Sequence, residues 1–138
     1  MVTISLEYLG GLRTRAVHGP SGTALVMDAP VDNHGKGESF SPTDLVATGL
    51  AGCILTVIGI VAQRHQLDLT GTTARVVKEM VMDGPRRIAR LTLDVNLPAT
   101  LGEGDRRRLE HAGHTCPVHR SLHPDVEVKI AFTYLPRQ

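Results

Sequence analysis

Residues Ser41–Arg64, SPTDLVATGLAGCILTVIGIVAQR, are the most informative part of this sequence. Ser41, Pro42 and Asp44 predict a helix that begins at Pro42. Serine caps a helix N-terminus, proline suits the first helical position, and an acid favours the positive end of the helix dipole. No charged residue occurs from position 45 to position 62. We therefore expect a long helix that is apolar on every side because it is buried on every side.

The same uncharged run reaches the lower limit of length for a membrane span, roughly 17–20 residues. It contains Gly49, Gly52 and Gly59, and neither Trp nor Tyr marks its ends. These features favour a buried core helix over a membrane span. A chain of 138 residues has few residues left to cover such a helix on every side, which predicts a partner subunit. Ala47, Ala51, Gly49 and Gly52 would allow a second helix to approach closely, or would equally fit a tight helix–sheet contact.

Segments typical of strands lie on both sides of this helix. In the first, Val2, Ile4 and Leu6 alternate with polar residues, which predicts a strand with one buried face. The predicted strands are Val2–Tyr8, Arg13–His18, Thr23–Met27, Thr70–Met82, Arg87–Leu97 and Val126–Tyr134. Short helices are predicted over Gly104–Gly113 and from Pro117 to Leu122. The order βββ-α-ββ-α-α-β predicts a single α+β domain, residues 1–138, with a mainly antiparallel sheet.

Composition excludes several classes of function. The formal net charge is +1, and aromatic residues make up 3% with no Trp. We therefore expect no nucleic-acid partner. The two cysteines lie 63 positions apart, which fits neither a disulfide scaffold nor a CxxC motif. The N-terminus has no basic start followed by a cleavable apolar segment, so we expect a cytoplasmic protein with no membrane association.

Both cysteines are candidates for thiol chemistry. Cys116 precedes Pro117, so its sulfur would lie at a helix N-terminus, where N–H groups and the helix dipole lower the pKa of a thiol. Cys53 lies within the apolar helix, where burial alone would raise the pKa of its thiol and make it inert. If the two cysteines are close in space, they form a peroxidatic and resolving couple, or they are two unrelated thiols. Periodicity does not decide between these.

Histidines surround Cys116 in the segment 111–119, HAGHTCPVH. Histidine and cysteine are metal-ligand types. Gly113 and Pro117 interrupt the helix geometry that would bring these side chains together, and the spacing matches no standard zinc pattern. We therefore expect no metal site.

Two motifs carry a resemblance to a known family. SPTDL and AGC, within Ser41–Cys53, together with CPVHRSL, Cys116–Leu122, resemble the OsmC/Ohr superfamily of osmotically induced and organic-hydroperoxide-resistance proteins. The resemblance implies an OsmC-like fold with a long central helix, an intertwined homodimer, and thiol peroxidase activity without a cofactor or metal. It also implies that Cys53 is the peroxidatic thiolate, that Cys116 is the resolving thiol, and that an external dithiol is the reductant.

The resemblance further implies an arginine from the N-terminal segment beside the thiolate. Arg13 is the nearest match and Arg15 the alternative, although Arg13 fits a solvent-facing strand residue equally well. Members of the organic-hydroperoxide-resistance branch have a glutamate ten residues before the first cysteine. Thr43 stands there in this chain, and Glu38 is a candidate to orient the arginine instead.

Two functions follow as expectations. The first is a cysteine-dependent hydroperoxide reductase in oxidative stress defence, with organic peroxides preferred because the helix around Cys53 is apolar. The second is a non-catalytic protein of the same fold that binds a small apolar ligand in the dimer cleft.

Overall fold

A computed structural model describes residues 1–136 of the chain. The secondary structure of this range confirms the predicted order of strands and helices, with an additional 3₁₀ turn at Val31–Asn33. The elements are β1 (Ile4–Gly10), β2 (Arg13–His18), β3 (Ala24–Asp28), α1 (Pro42–Arg64), β4 (Thr73–Met80), β5 (Ile88–Pro98), α2 (Glu103–Gly113), α3 (Pro117–Ser121) and β6 (Glu127–Leu135).

The chain divides into two compact units, Met1–Val46 and Ala47–Gln138. In the first unit, β1, β2 and β3 form an antiparallel sheet in that order. The prediction that one face of β1 is buried is wrong, because Val2, Ile4 and Leu6 are all exposed. Hydrogen bonds join a strand to its neighbours within the sheet, whereas its two faces are buried only if other elements pack on them. Alternation of apolar and polar residues therefore does not by itself show that the apolar face is buried.

The long helix α1 begins at Pro42, as predicted, and continues to Arg64. Its buried residues recur every three or four positions and form one stripe: Ala47, Leu50, Ile54, Ile58 and Ala62. The expectation of burial on every side is wrong for the chain alone, since only 28% of the most apolar 18-residue window is buried. With a mean hydropathy of 2.4 in that window, α1 is long and apolar enough to cross a membrane, a property that core helices of soluble proteins share.

In the second unit, β4, β5 and β6 form another three-stranded sheet. β4 and β5 are antiparallel, whereas β5 and β6 are parallel and are joined through α2 and α3. A register shift between Glu79 and Met80 explains why apolar residues of β5 alternate imperfectly. The buried side chains of β5 pack with the inner stripe of α1 in one hydrophobic cluster: Ile88, Leu91, Leu93, Val95 and Leu97. Cys116 belongs to this cluster, and Cys53 packs against it.

Candidate functional site

The N-terminus of α1 is fixed by a reciprocal cap. The backbone N–H of Asp44 donates to Ser41 Oγ at 3.0 Å, and the N–H of Ser41 donates to a carboxylate oxygen of Asp44 at 2.8 Å. The hydroxyl of Thr43, the residue ten before Cys53, lies 3.2 Å from Ser41 Oγ. The cap satisfies N–H groups that the first helical turn leaves without partners. At this position the chain therefore places a small hydroxyl within the cap.

Cys53 lies on α1 with a partly exposed side chain, and Cys116 is 0% exposed. Both contact the same hydrophobic cluster: Cys116 is a buried member of it, and Cys53 packs against it. Their side chains interact directly, within hydrogen-bonding reach of each other. The structure therefore brings together two cysteines that are 63 positions apart in the chain. Of the two residues, Cys53 is the one that is partly exposed.

The expectation that a helix N-terminus lowers the pKa of Cys116 is wrong. Burial raises the pKa of the Cys116 thiol, and the neighbouring Cys53 raises it further, while backbone N–H groups of Val118 and His119 offset this only in part. Cys116 does precede α3 as predicted, but that helix has five residues and no side-chain hydrogen bond caps it. A helix this short has a weak dipole, so desolvation decides the direction of the pKa shift. Cys116 therefore loses its proton less readily than an ordinary cysteine.

Arg13 lies in the first unit, at the start of β2, and is clamped by two carboxylates. Its Nε and Nη2 donate to the two oxygens of Asp28 at 2.6 and 2.8 Å, and Nη2 also donates to Glu38 Oε2 at 2.9 Å. Asp28 is 1% exposed and accepts a further hydrogen bond from the N–H of Glu38. The arginine hydrogen bonds hold the pKa of the Asp28 carboxyl below its usual range, and the same contacts raise the pKa of Arg13. The alternative, Arg15, is exposed.

Glu38 thus takes the contact with Arg13 that the sequence suggested, whereas Asp28 was not among the candidates. A signal for it existed. Arg13 lies directly opposite Asp28 in the observed register, and Asp28 is one position beyond the end of the predicted strand Thr23–Met27. An acid and a base facing each other across an antiparallel pair commonly interact.

The histidines around Cys116 do not form a metal cluster. No three His, Cys, Asp or Glu side chains converge anywhere in residues 1–136. The His114 ring instead packs edge to face on Phe132, with ring centroids 6.0 Å apart.

A groove of about 640 Å³ lies beside the ends of β5 and β6, away from the cysteines. It is lined by Thr70, Gly71, Thr73, Asn96, Leu97, Pro98, Leu135 and Pro136. Neither cysteine contributes to its wall.

Comparisons with known proteins identify the family and the fold. A family profile described as OsmC-like protein matches residues 35–131. A structure from Psychrobacter arcticus, described provisionally as an osmotic stress induced and detoxification response protein, is 45% identical, with 96% of each chain covered and a TM-score of 0.90. No curated protein sequence matches the chain.

More distant structures share the fold. An organic hydroperoxide resistance protein of Legionella pneumophila is 20% identical, with 96% of each chain covered and a TM-score of 0.73. The organic hydroperoxide resistance protein OhrB of Bacillus subtilis is 20% identical, with a TM-score of 0.69, and 96% of this chain and 98% of OhrB are covered. The α+β architecture predicted from the sequence is therefore that of OsmC-like structures.

Proposed function

The chain belongs to the family of OsmC-like proteins, and from this premise we propose that it is a thiol-dependent hydroperoxide reductase acting in defence against organic peroxides. The contact between Cys53 and Cys116 carries the proposal, because a partly exposed cysteine lies against a buried one. Structures of the same fold described as organic hydroperoxide resistance proteins agree with this substrate class. The apolar length of α1 around Cys53 favours an organic peroxide over hydrogen peroxide.

The roles of the two cysteines follow from their surroundings. The raised pKa of Cys116 keeps this sulfur protonated, so its S–H is available to donate toward the Cys53 sulfur. Cys53 is then the thiolate that attacks the distal oxygen of ROOH. An S–O bond forms and the O–O bond breaks, and the departing alkoxide takes a proton to leave as ROH. Cys53 becomes a sulfenic acid.

The second and third steps return the enzyme to its starting state. The Cys116 sulfur attacks the Cys53 sulfenic acid, and the disulfide forms with release of water. An external dithiol then reduces the disulfide by exchange and is itself oxidised to a disulfide. The Cys53 sulfur is the reachable point of attack, because Cys116 is buried. A cytoplasmic location would supply such a reductant and is part of the proposal.

A homodimer is the proposed assembly. The largely uncovered surface of α1 supports it, since an apolar helix of 23 residues rarely stays exposed in a soluble protein. Arg13 is the proposed third catalytic residue, in the role that the resemblance gives it, as the cation that stabilises the Cys53 thiolate. Its rigid hold by Asp28 and Glu38 suits a group that must keep one orientation.

The test is intact-mass analysis of reduced protein mixed with one equivalent of cumene hydroperoxide. The wild-type chain is expected to lose about 2 Da within seconds as the disulfide forms. Cys53→Ser is expected to stay unmodified, and Cys116→Ser to gain about 16 Da as the sulfenic acid accumulates. Two thiols that survive minutes of exposure in the wild type would contradict the proposal. Saturable binding of an apolar ligand that persists in Cys53→Ser would then favour the binding protein.

A further inference from the structure

Gly113, the last residue of α2, is buried at a place where an added side chain would meet its neighbours closely. A Cβ added there would lie 3.1 Å from Phe132 Cζ and 3.5 Å from Ile58 Cδ1. These close neighbours give the glycine at this position a packing reason. Gly104 in the same helix shows the contrast, because nothing lies within 4 Å of the corresponding Cβ position.

Phe132 supports the segment that leads from Gly113 to Cys116. Its ring packs against the backbone of Gly113 and edge to face against the His114 ring at 70°. The next residue, Thr115, donates from both its N–H and its hydroxyl to the carbonyl of Ala112, at 3.0 and 2.8 Å. The chain therefore reaches Cys116 through a short segment that is fixed at each residue.

The same contact sets the spacing between α2 and α1. Ile58 touches the Gly113 position from α1, and it lies five residues after Cys53. At about 1.5 Å of rise per residue, the contact is within about 8 Å of Cys53 along the helix axis. Because the Ile58 and Phe132 side chains close around the Gly113 position, the small size of this residue helps to set how near the Cys116 segment lies to α1.

We infer that Gly113 is a positioning residue for the condensation of the Cys53 sulfenic acid with Cys116. The inference rests on the proposed function and adds to it the residue that controls its second step. In that step the S–S bond forms, the S–O bond breaks, the oxygen leaves as water, and the Cys116 proton is consumed. A disulfide requires sulfurs about 2.05 Å apart with a defined dihedral angle, so displacement by a few tenths of an ångström matters.

A methyl group at position 113 is expected to push the segment away from Phe132 and α1. In Gly113→Ala, condensation should slow by about 10-fold or more, as expected for a misplaced reacting group. Attack of Cys53 on the peroxide forms no bond to Cys116 and tolerates a small displacement of its S–H, so it should stay within about twofold of wild type. A general loss of structure would instead lower both steps together.

The experiment separates the two steps. Reduced protein is mixed with cumene hydroperoxide and quenched at timed intervals with dimedone, which traps sulfenic acid, and intact mass gives the trapped and disulfide fractions. Gly104→Ala is the matched control and should condense at the wild-type rate. In Gly113→Ala combined with Phe132→Leu, the shorter side chain leaves room for the methyl group, so condensation should match that of Phe132→Leu alone within about threefold.

His114→Ala covers the case in which Gly113→Ala does not fold. It keeps the glycine and removes only the edge contact with Phe132, and it is expected to slow condensation about threefold with the peroxide step unchanged. Condensation at the wild-type rate in Gly113→Ala, or in His114→Ala where the glycine variant is unfolded, would refute the inference. So would an equal slowing by Gly113→Ala in both Phe132 backgrounds. If wild-type Cys53 is not oxidised at all, the proposed function fails first.

Discussion

Replacing Ile60 with lysine tests whether the uncovered face of α1 is an interface between two copies of the chain. Ile60 is 45% exposed, and burying a whole isoleucine side chain contributes about 1.5–3 kcal/mol. Covering the exposed part therefore contributes about 1 kcal/mol per protomer, or about 2 kcal/mol in a symmetric dimer. Loss of that contribution weakens the dimer about 30-fold, and desolvation of two lysine charges weakens it further.

The measurement is sedimentation equilibrium over nanomolar to micromolar protein, for wild type, Ile60→Lys and a control. Met82→Lys is the control, because Met82 is an exposed apolar residue in the turn between β4 and β5. The control should leave the dimer unchanged. In a chain that does not dimerise through α1, Ile60→Lys would change stability by no more than about 0.5 kcal/mol. A dimer affinity within threefold of wild type would refute the assignment of this face.

The cap of α1, the Arg13–Asp28 ion pair and the burial of Cys116 can each be tested in solution. Ser41→Ala removes the cap from α1 and should cost about 1 kcal/mol, which lowers the melting temperature by about 3 °C; an unchanged melting curve would show that the cap contributes little. Asp28→Asn should lower stability at neutral pH, and this loss of stability should disappear in acid. The folded-state pKa of Asp28 lies below its ordinary value of 3.8, so the ion pair with Arg13 contributes above about pH 4 and its contribution disappears as pH falls through the lower folded-state value. Denaturant titrations of both proteins should therefore give stabilities that approach each other as the pH is lowered below about 4. Iodoacetamide at neutral pH should add one group per native chain, on Cys53, because Cys116 is buried and has a raised pKa. Two groups should add in denaturant, and rapid labelling of Cys116 in native Cys53→Ser would contradict this.

Local chemistry made the secondary structure predictable. The start of α1 follows from Ser41, Pro42 and Asp44, whose cap forms as expected. The short helix after Cys116 follows from Pro117. These signals depend on residues within one turn of each other, so the sequence contains all of the interaction.

Features that depend on distant partners were not predictable. The alternation in β1 gives its two faces but not what covers either of them. The parallel pairing of β5 with β6 depends on the path of the chain through α2 and α3. Burial of Cys116 depends on the packing of the whole cluster, and it reverses the effect that a local helix terminus suggested. The roles assigned to Cys53 and Arg13 stay predictions that the experiments above address.

The contact between two cysteines 63 positions apart also has a consequence for unfolding. A disulfide between them would close a loop covering nearly half of the chain, and by loop-closure entropy it would disfavour the unfolded state by about 4 kcal/mol. Each turnover would then alternate the protein between a more and a less heat-resistant form. Thermal unfolding would therefore distinguish the oxidised molecules from the reduced ones.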